Sequence, residues 1–447
     1  MRSSDRLSAP PHDGSLPPAV VIGLDSITGL QTARILADRG VPVVGVVADR
    51  RHWGAHTNAC FDVIESPLSG EGLLTSLLRL ARRLGWRGRP SVLMPCTDPS
   101  VATVSRTRAQ LAGPYVLPLA PHSVVDLLMD KVRFAQHAGA VGLPVPRTEV
   151  LTCRSDAEVA AQKLEYPCVL KPPVKSAGWL AHTRAKGFAV RDTHHLLSVY
   201  DTVADWSPVL LVQEWVAGPE DGLFSCNGYF GEQGEPLATF VARKVRQWPP
   251  EIGTSASGEE CRNDEVLATA LRLFGDVGFR GLGYLEMKRD ERTGRLMIIE
   301  PNVGRPTGRS AIAEAGGVEL VYTAYCDAAG LPLPDARVQR YLGVKWLDLR
   351  RDVQAAAVAR RRGTLTVGEW ARWVRGPKAH AIWSRRDPVP FMVDVTQAAS
   401  TGARMLASRR TRRPGPDAAD VDGLPVLGTP DRRGTYTVED FRKGNSP

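Results

Sequence analysis

Two short apolar runs rich in β-branched residues, Ala19 to Ile22 and Val43 to Val47, bracket a segment from Gly29 to Arg39 whose apolar positions return every three or four residues. The pattern predicts strand, helix, strand, a βαβ unit. A third apolar run, Ser91 to Met94, ends at Pro95 with Thr97 and Asp98 following, and helical spacing resumes from Val101 to Leu111. The first ~115 residues therefore read as a small parallel α/β domain. Gly23 and Gly29 after the first strand and Asp49 after the second invite a dinucleotide-binding reading. The full GxGxxG spacing is absent, which favours a purely structural βα turn.

Helical spacing from Leu128 to Ala140 stops at Gly142 and the turn Pro144-Val145-Pro146, and Arg147 to Leu151 then looks extended. The rhythm next alternates: helix Ser155 to Leu164, strand Cys168 to Lys171, a loop, strand Phe188 to Arg191, helix His194 to Val203 and strand Val209 to Trp215. Beyond it the chain turns mostly extended, over Phe224 to Phe230, Leu237 to Arg243, Gly283 to Arg289 and Leu296 to Glu300, with one clear helix from Glu265 to Val277. A body of helices and antiparallel strands fits this better than a second parallel sheet. Past Leu333 the chain becomes rich in Ala and Arg, with Trp346, Trp370, Trp373 and Trp383. There Val353 to Arg361 and Val367 to Val374 read as surface helices packed onto the body by tryptophans. The expected division is an unstructured start (1–18), the α/β domain (19–120), a central body (121–333), a Trp/Arg-rich helical extension (334–408) and a flexible tail (409–447).

Composition narrows the class more than the activity. At 447 residues the chain holds two or three units of roughly 150 residues. Apolar residues at 43% and charged residues at 23% exclude wholesale disorder and fibrous repeats. Part of the net charge of +9 sits in Arg409, Arg410, Arg412 and Arg413, where no aromatic residues interleave, so the run reads as a solvated tail and not a nucleic-acid or membrane patch. The seven cysteines are scattered and never form a CxxC pair, as expected of reduced thiols in the cytoplasm. Neither a secretory h-region nor an eighteen-residue apolar run is present.

Candidate chemistry concentrates in two strands, Gly283 to Lys288 and Leu296 to Asn302, joined by the turn Asp290-Glu291-Arg292-Thr293-Gly294. A hairpin of this kind sets Glu286 and Glu300 side by side on one face. Two such carboxylates repel unless a cation lies between them. The amide oxygen of Asn302, two positions on and thus on the same face, completes an all-oxygen set suited to Mg²⁺, with Mn²⁺ as an alternative. Taken alone, the same residues would equally suit an exposed acidic hairpin.

In order and spacing, roughly residues 19 to 330 resemble the ATP-grasp superfamily, and within it the D-aspartate-ligase-like and carbamoyl-phosphate-synthase-like carboxylate-amine ligases. By that resemblance Lys131, in Met129-Asp130-Lys131, and Lys171, in Val169-Leu170-Lys171-Pro172, are the two lysines that reach the ATP phosphates. Fixed ammonium groups suit a triphosphate. Leu211 to Gly218 resembles the hinge that reads adenine, through Gln213, Glu214, Trp215 and Val216, with Glu220 or Asp221 meeting the ribose. Pro172 to Gly187 corresponds to the mobile loop over the phosphates, but holds only two glycines and a bulky Trp179. Ala242 to Pro250, with Lys244, followed by the Gly/Ser-rich and expectedly flexible Ile252 to Gly258, resembles the segment near phosphates and acceptor. The family places an arginine two residues after the asparagine, whereas Arg305 lies three after Asn302, which together with Gly304 suggests a bulge that re-aims it. Arg305, Arg309 and Lys244 are then the residues expected to steady the reacting groups.

The resemblance implies the ATP-grasp fold, a small parallel α/β domain followed by two α+β modules clamping ATP, with a helical C-terminal extension. It implies an ATP- and Mg²⁺-dependent ligase joining a small carboxylate to an amine through an acyl phosphate, releasing ADP and phosphate. A protein of that kind needs no nucleic acid or membrane span, and a homo-oligomer is compatible with it. A phosphotransferase on the same fold and an ATP-binding regulatory protein that has lost catalysis are the alternatives. No G-x-S-x-G elbow, H-E-x-x-H motif or cysteine nucleophile signature points elsewhere.

Overall fold

The computed structural model describes residues 16–84, 90–250, 253–411 and 426–427. The expected unstructured start falls almost wholly outside these residues, as do Ile252 and most of the expected tail. Among the described residues the strands form three sheets.

The first sheet contains β1 (Ala19–Ile22), β2 (Val43–Val47), β3 (Asp62–Glu65), β4 (Ser91–Pro95) and β5 (Tyr115–Val116), all parallel, in the order β3-β2-β1-β4-β5. Strands β1, β2 and β4 are buried along their whole length, as a sheet covered on both faces requires. One cover is the helix Gly70–Leu84, with Leu73, Leu74, Leu77, Leu80 and Leu84 on its buried face. The glycines after β1 are structural. Gly23 has φ +96, and a Cβ on Gly29 would stand 2.1 Å from the Gly23 carbonyl oxygen, so the turn closes on itself.

The second sheet is a small antiparallel module of β6 (Thr148–Leu151), β7 (Cys168–Lys171), β8 (Gly187–Val190) and β9 (Leu210–Glu214), in the order β8-β7-β9-β6. It has its own apolar core, built from residues between Leu151 and Val212.

The third sheet carries the site. Strands β10 (Leu223–Phe230), β11 (Pro236–Trp248), β12 (Thr254–Glu260), β13 (Gly281–Arg289), β14 (Leu296–Val303), β15 (Lys345–Leu347) and β16 (Lys378–His380) run in the order β14-β13-β10-β11-β12-β15-β16. Its two faces continue into the two faces of the first sheet. Val20, Ile22 and Leu93 share one core with Phe230, Val241, Leu285 and Ile298. Val21, Val43 and Met94 share the other with Tyr229, Phe240 and Leu282. A short strand, β17 (Val426–Leu427), pairs with β8.

Several expectations are corrected. The segment Leu128 to Ala140 is two helices, His122–Met129 and Lys131–Ala140, because the Asp130 side chain accepts from the Val132 and Arg133 amides and so caps the second. The Gly/Ser-rich stretch expected to be a flexible loop forms β12 from Thr254 onward. Its small residues fit a crowded place: a Cβ on Gly258 would stand 2.9 Å from the Arg243 carbonyl oxygen of β11 and 3.4 Å from Arg309 Cδ. The loop Pro172 to Gly187 contains the helix Ala177–His182, with Trp179 fully buried against Phe188 and Trp206. The extension is not purely helical: β15 and β16 widen the central sheet, and Trp346 is buried within β15. Trp373 does reach the body, through a hydrogen bond to Glu259, whereas Trp370 bonds to Asp352 on the extension's own helix Leu349–Arg361. Trp383 is more exposed and stands edge-on to Phe391.

Candidate functional site

The β13–β14 hairpin closes as its sequence demands. The Asp290 amide donates to the Arg295 carbonyl, and Gly294 takes φ +70 in the turn. Glu286 lies directly opposite Glu300, and Tyr284 opposite Asn302. The register shifts between Glu286 and Met287, so that Ile299 is the extra residue and the bulge falls there, not at Gly304. Gly304 has a different task. Its φ is +74, and a Cβ there would come within 2.4 Å of the Leu119 side chain, so the chain leaves the strand where only glycine fits.

Around this pair the central sheet gathers matched charges. Lys244 Nζ donates to Glu286 Oε2 at 3.1 Å. Arg309, 3% exposed, donates to Ser225 Oγ at 2.9 Å and to Ser255 Oγ, and stands 3.9 Å from Glu286 Oε1. Burial pushes the Glu286 carboxyl up, but Lys244 and Arg309 outweigh it and hold it below the usual range, ionised at neutral pH. Arg305 donates to the Tyr284 hydroxyl at 2.9 Å, to Asn302 Oδ1 at 2.8 Å and to Asp98 of the parallel domain. Burial works against its charge, yet Tyr284 and Asp98 raise its pKa.

The small module brings lysines to the same place. Lys171, the last residue of β7, donates to Gln213 Oε1 at 2.8 Å, and Gln213 Nε2 in turn donates to Thr148 Oγ1 at 2.8 Å. Burial first, and the Lys131 charge after it, lower the Lys171 pKa to about 8 against the opposing pull of Glu300. That interaction places Lys131, the first residue of its helix, in the same electrostatic cluster. Lys186, just before β8, has its pKa lowered by burial and is felt by Glu300, Lys244, Lys131 and Glu286 together. It belongs to the site, although its position in a glycine-poor loop gave it no distinguishing mark in the sequence. The bracketing Lys175 donates to the Arg184 carbonyl at 2.8 Å.

The hinge residues are less free than their sequence suggested. The Glu214 amide donates to the Arg147 carbonyl and the Trp215 amide to the Pro167 carbonyl, while Glu214 Oε1 accepts from the Glu165 amide at 2.9 Å. The Trp215 carbonyl accepts from Arg292. Of the hinge quartet, Gln213 therefore serves Lys171, Glu214 and Trp215 hold the module together, and Val216 is buried. Glu220 Oε2 accepts from the Gln247 amide at 2.8 Å, and Asp221 is exposed.

Glu286 and Glu300 fit a hard divalent cation: both offer oxygen, they face each other across one ladder, and Glu286 is kept ionised. Asn302 fits less directly, because its Oδ1 is engaged by Arg305 while its buried Nδ2 lacks a partner. Its oxygen keeps a second lone pair, but the Arg305 charge beside it disfavours a further cation there. Among the described residues no group of three or more His, Cys, Asp or Glu could hold a metal, so the acidic pair stands by itself.

The chain's architecture matches solved structures over most of its length. It superposes on a biotin carboxylase–β-γ-ATP complex from Campylobacter jejuni with a TM-score of 0.57 at 15% identity, covering 72% of this chain and 73% of that one. An N5-carboxyaminoimidazole synthetase from Staphylococcus aureus complexed with ADP gives 0.56 at 14% identity, covering 72% and 79%. This is the ATP-grasp fold. In sequence, the ATP-grasp chain is 38% identical over 191 residues to a D-alanine–D-alanine ligase of Ectopseudomonas mendocina (strain ymp), covering 39% of this chain and 55% of that protein. It is 24% identical over 251 residues to a D-aspartate ligase of Enterococcus faecium (strain Aus0004), covering 53% and 58%. The chain thus spans about half the length of the relatives it matches. No family model matches it. Among the described residues no helix is long and apolar enough to cross a membrane.

Proposed function

We propose that this ATP-grasp protein is a carbon–nitrogen ligase that joins a small, amino-acid-like carboxylate to an amine, with ATP converted to ADP and phosphate. The observation that carries the reading is the convergence of Lys131, Lys171 and Lys186 with the matched set Lys244, Glu286, Arg305 and Arg309. Lysines crowded together in a poorly solvated place repel one another, and a polyanion relieves that repulsion. The kinship with D-alanine–D-alanine and D-aspartate ligases supports the amino-acid-like substrate class.

In this scheme the substrate carboxylate attacks the γ-phosphoryl group. The acyl phosphate keeps one carboxylate oxygen in its bridging bond, and the amine then displaces phosphate to give an amide. Lys131, Lys171 and Lys186 bind and orient the phosphates, while Arg305 and Arg309 face the charge that develops on the reacting carbonyl. Mg²⁺, when held by Glu286 and Glu300, supplies further neutralisation of phosphate charge. No protein nucleophile takes part.

Purified protein given ATP, Mg²⁺ and a panel of amino acids as acid and amine is expected to release ADP and phosphate only when a matching pair is present. Release of AMP and pyrophosphate contradicts the scheme, and a stable phosphorylated product from one substrate alone would make the protein a phosphotransferase.

A further inference from the structure

The far end of β11 is irregular. Lys244 pairs with Gly258, Arg246 with Ser257 and Gln247 with Ser255, so the register breaks on each side of Arg246. An interrupted ladder fixes a strand less firmly than a continuous one. Yet this stretch reaches two parts of the site at once, through Lys244 Nζ on Glu286 and the Gln247 amide on Glu220.

What holds it comes from the C-terminal extension. Arg246 forks onto Asp352, Nε to Oδ1 at 2.7 Å and Nη2 to Oδ2 at 3.1 Å. Asp352 is 0% exposed, lies on the helix Leu349–Arg361, and takes a third bond from Trp370 Nε1 at 2.8 Å. The Arg246 guanidinium lies 4.6 Å from the Trp373 ring centroid. The Asp348 amide at the start of this helix donates to the Ala256 carbonyl of β12, and Trp373 Nε1 donates to the Glu259 carboxylate that also accepts from Arg243. The extension thus grips β11 on both sides of Lys244. A fully buried ion pair adds little net stability for its desolvation, and its best-attested use is to fix one arrangement among several.

We propose that Asp352 is a positioning residue, holding Arg246 so that the interrupted end of β11 presents Lys244 to Glu286 and Gln247 to Glu220. The catalytic meaning of those two contacts rests on the ligase reading; the geometry does not. Reductive methylation followed by peptide mass spectrometry reads the Lys244 ammonium directly, with Lys171 on the separate module as internal reference. In D352N, Lys244 is expected to react about tenfold faster, the ratio that a ~1.4 kcal/mol loosening produces, while Lys171 keeps its rate. The kcat/KM for ATP falls in the same variant. R246K, which keeps the charge and loses the fork, gives the same comparison if D352N folds poorly. Unchanged Lys244 labelling in a folded variant, equal acceleration at both lysines, or loss of fold in both variants each overturns the proposal. If the unaltered protein turns over no acid and amine, the ligase reading fails while the labelling still decides the role of Asp352.

Discussion

The two sheets that meet at the charged cluster hold their cations in opposite ways. On the small module, Lys171 is hydrogen-bonded to the neutral Gln213 amide and crowded by Lys131. On the central sheet the cations are matched before any ligand arrives: Lys244 with Glu286, Arg305 with Asp98, and Arg246 with Asp352. One side is electrostatically incomplete and favours an incoming anion; the other is pre-organised, so its groups need little rearrangement during reaction. The cores differ in parallel, since the module packs on itself whereas the central sheet shares both its cores with the parallel domain.

The comparison breaks most decisively at the acidic pair. E300Q keeps the shape of the side chain but removes a carboxylate charge, and kcat/KM is expected to fall by about 10²–10³-fold, the scale seen when one aimed electrostatic group is lost. Turnover close to that of the unaltered protein would remove the metal from the account. Removing divalent cations with a chelator should reproduce the loss, and adding Mg²⁺ or Mn²⁺ should reverse it.

A smaller effect tests the incomplete side. With its pKa near 8 in the folded protein against an ordinary 10.5, Lys171 carries fewer protons folded than unfolded between those values. The contribution of this residue to stability therefore rises with pH across that window, and the full burden of its buried charge is present below about 8. Nucleotide binding has the opposite sign, because phosphate favours the ammonium. The KM for ATP, followed from one pH unit below that value to one above, should rise on the alkaline side, and K171A should flatten the profile. A profile that is level in the unaltered protein would show Lys171 to be remote from the phosphates.

The smallest effect concerns the Glu214 side chain. Glu214 binds the Glu165 amide, so E214A should cost about 1 kcal/mol of stability, read as a lower melting temperature, with the KM for ATP changed less than twofold. A large rise in KM with unchanged melting would show that the Glu214 side chain itself reaches the nucleotide, beyond the backbone contacts expected of the hinge.

What the sequence made legible was local. The strand ending at Lys171, the hairpin that opposes Glu286 and Glu300, and the βα turn at Gly23 each follow from short-range patterns of apolar residues, turn residues and alternation. What it hid depends on partners far away in the chain. Arg246 meets Asp352 across 106 positions, and no periodicity announces that meeting. Strand β12 looked like a loop because its small residues answer to distant neighbours, the Arg243 carbonyl against Gly258 and Arg309 on Ser255. The bulge was expected at Gly304 because of an extra residue before Arg305, but strand register is set by the partner strand, and the partner put the extra residue at Ile299. Lys186 follows Ala185, whose carbonyl accepts from Trp179 Nε1 of the helix Ala177–His182, a contact that no local pattern announces.

The acyl phosphate is the centre of the account, and oxygen transfer tests it most directly. With a turned-over substrate acid labelled with ¹⁸O in its carboxylate, attack on the γ-phosphoryl group followed by amine displacement leaves one labelled oxygen in the released phosphate. Mass spectrometry of that phosphate is predicted to find the label in step with amide formed. Unlabelled phosphate accompanying amide formation would contradict the account.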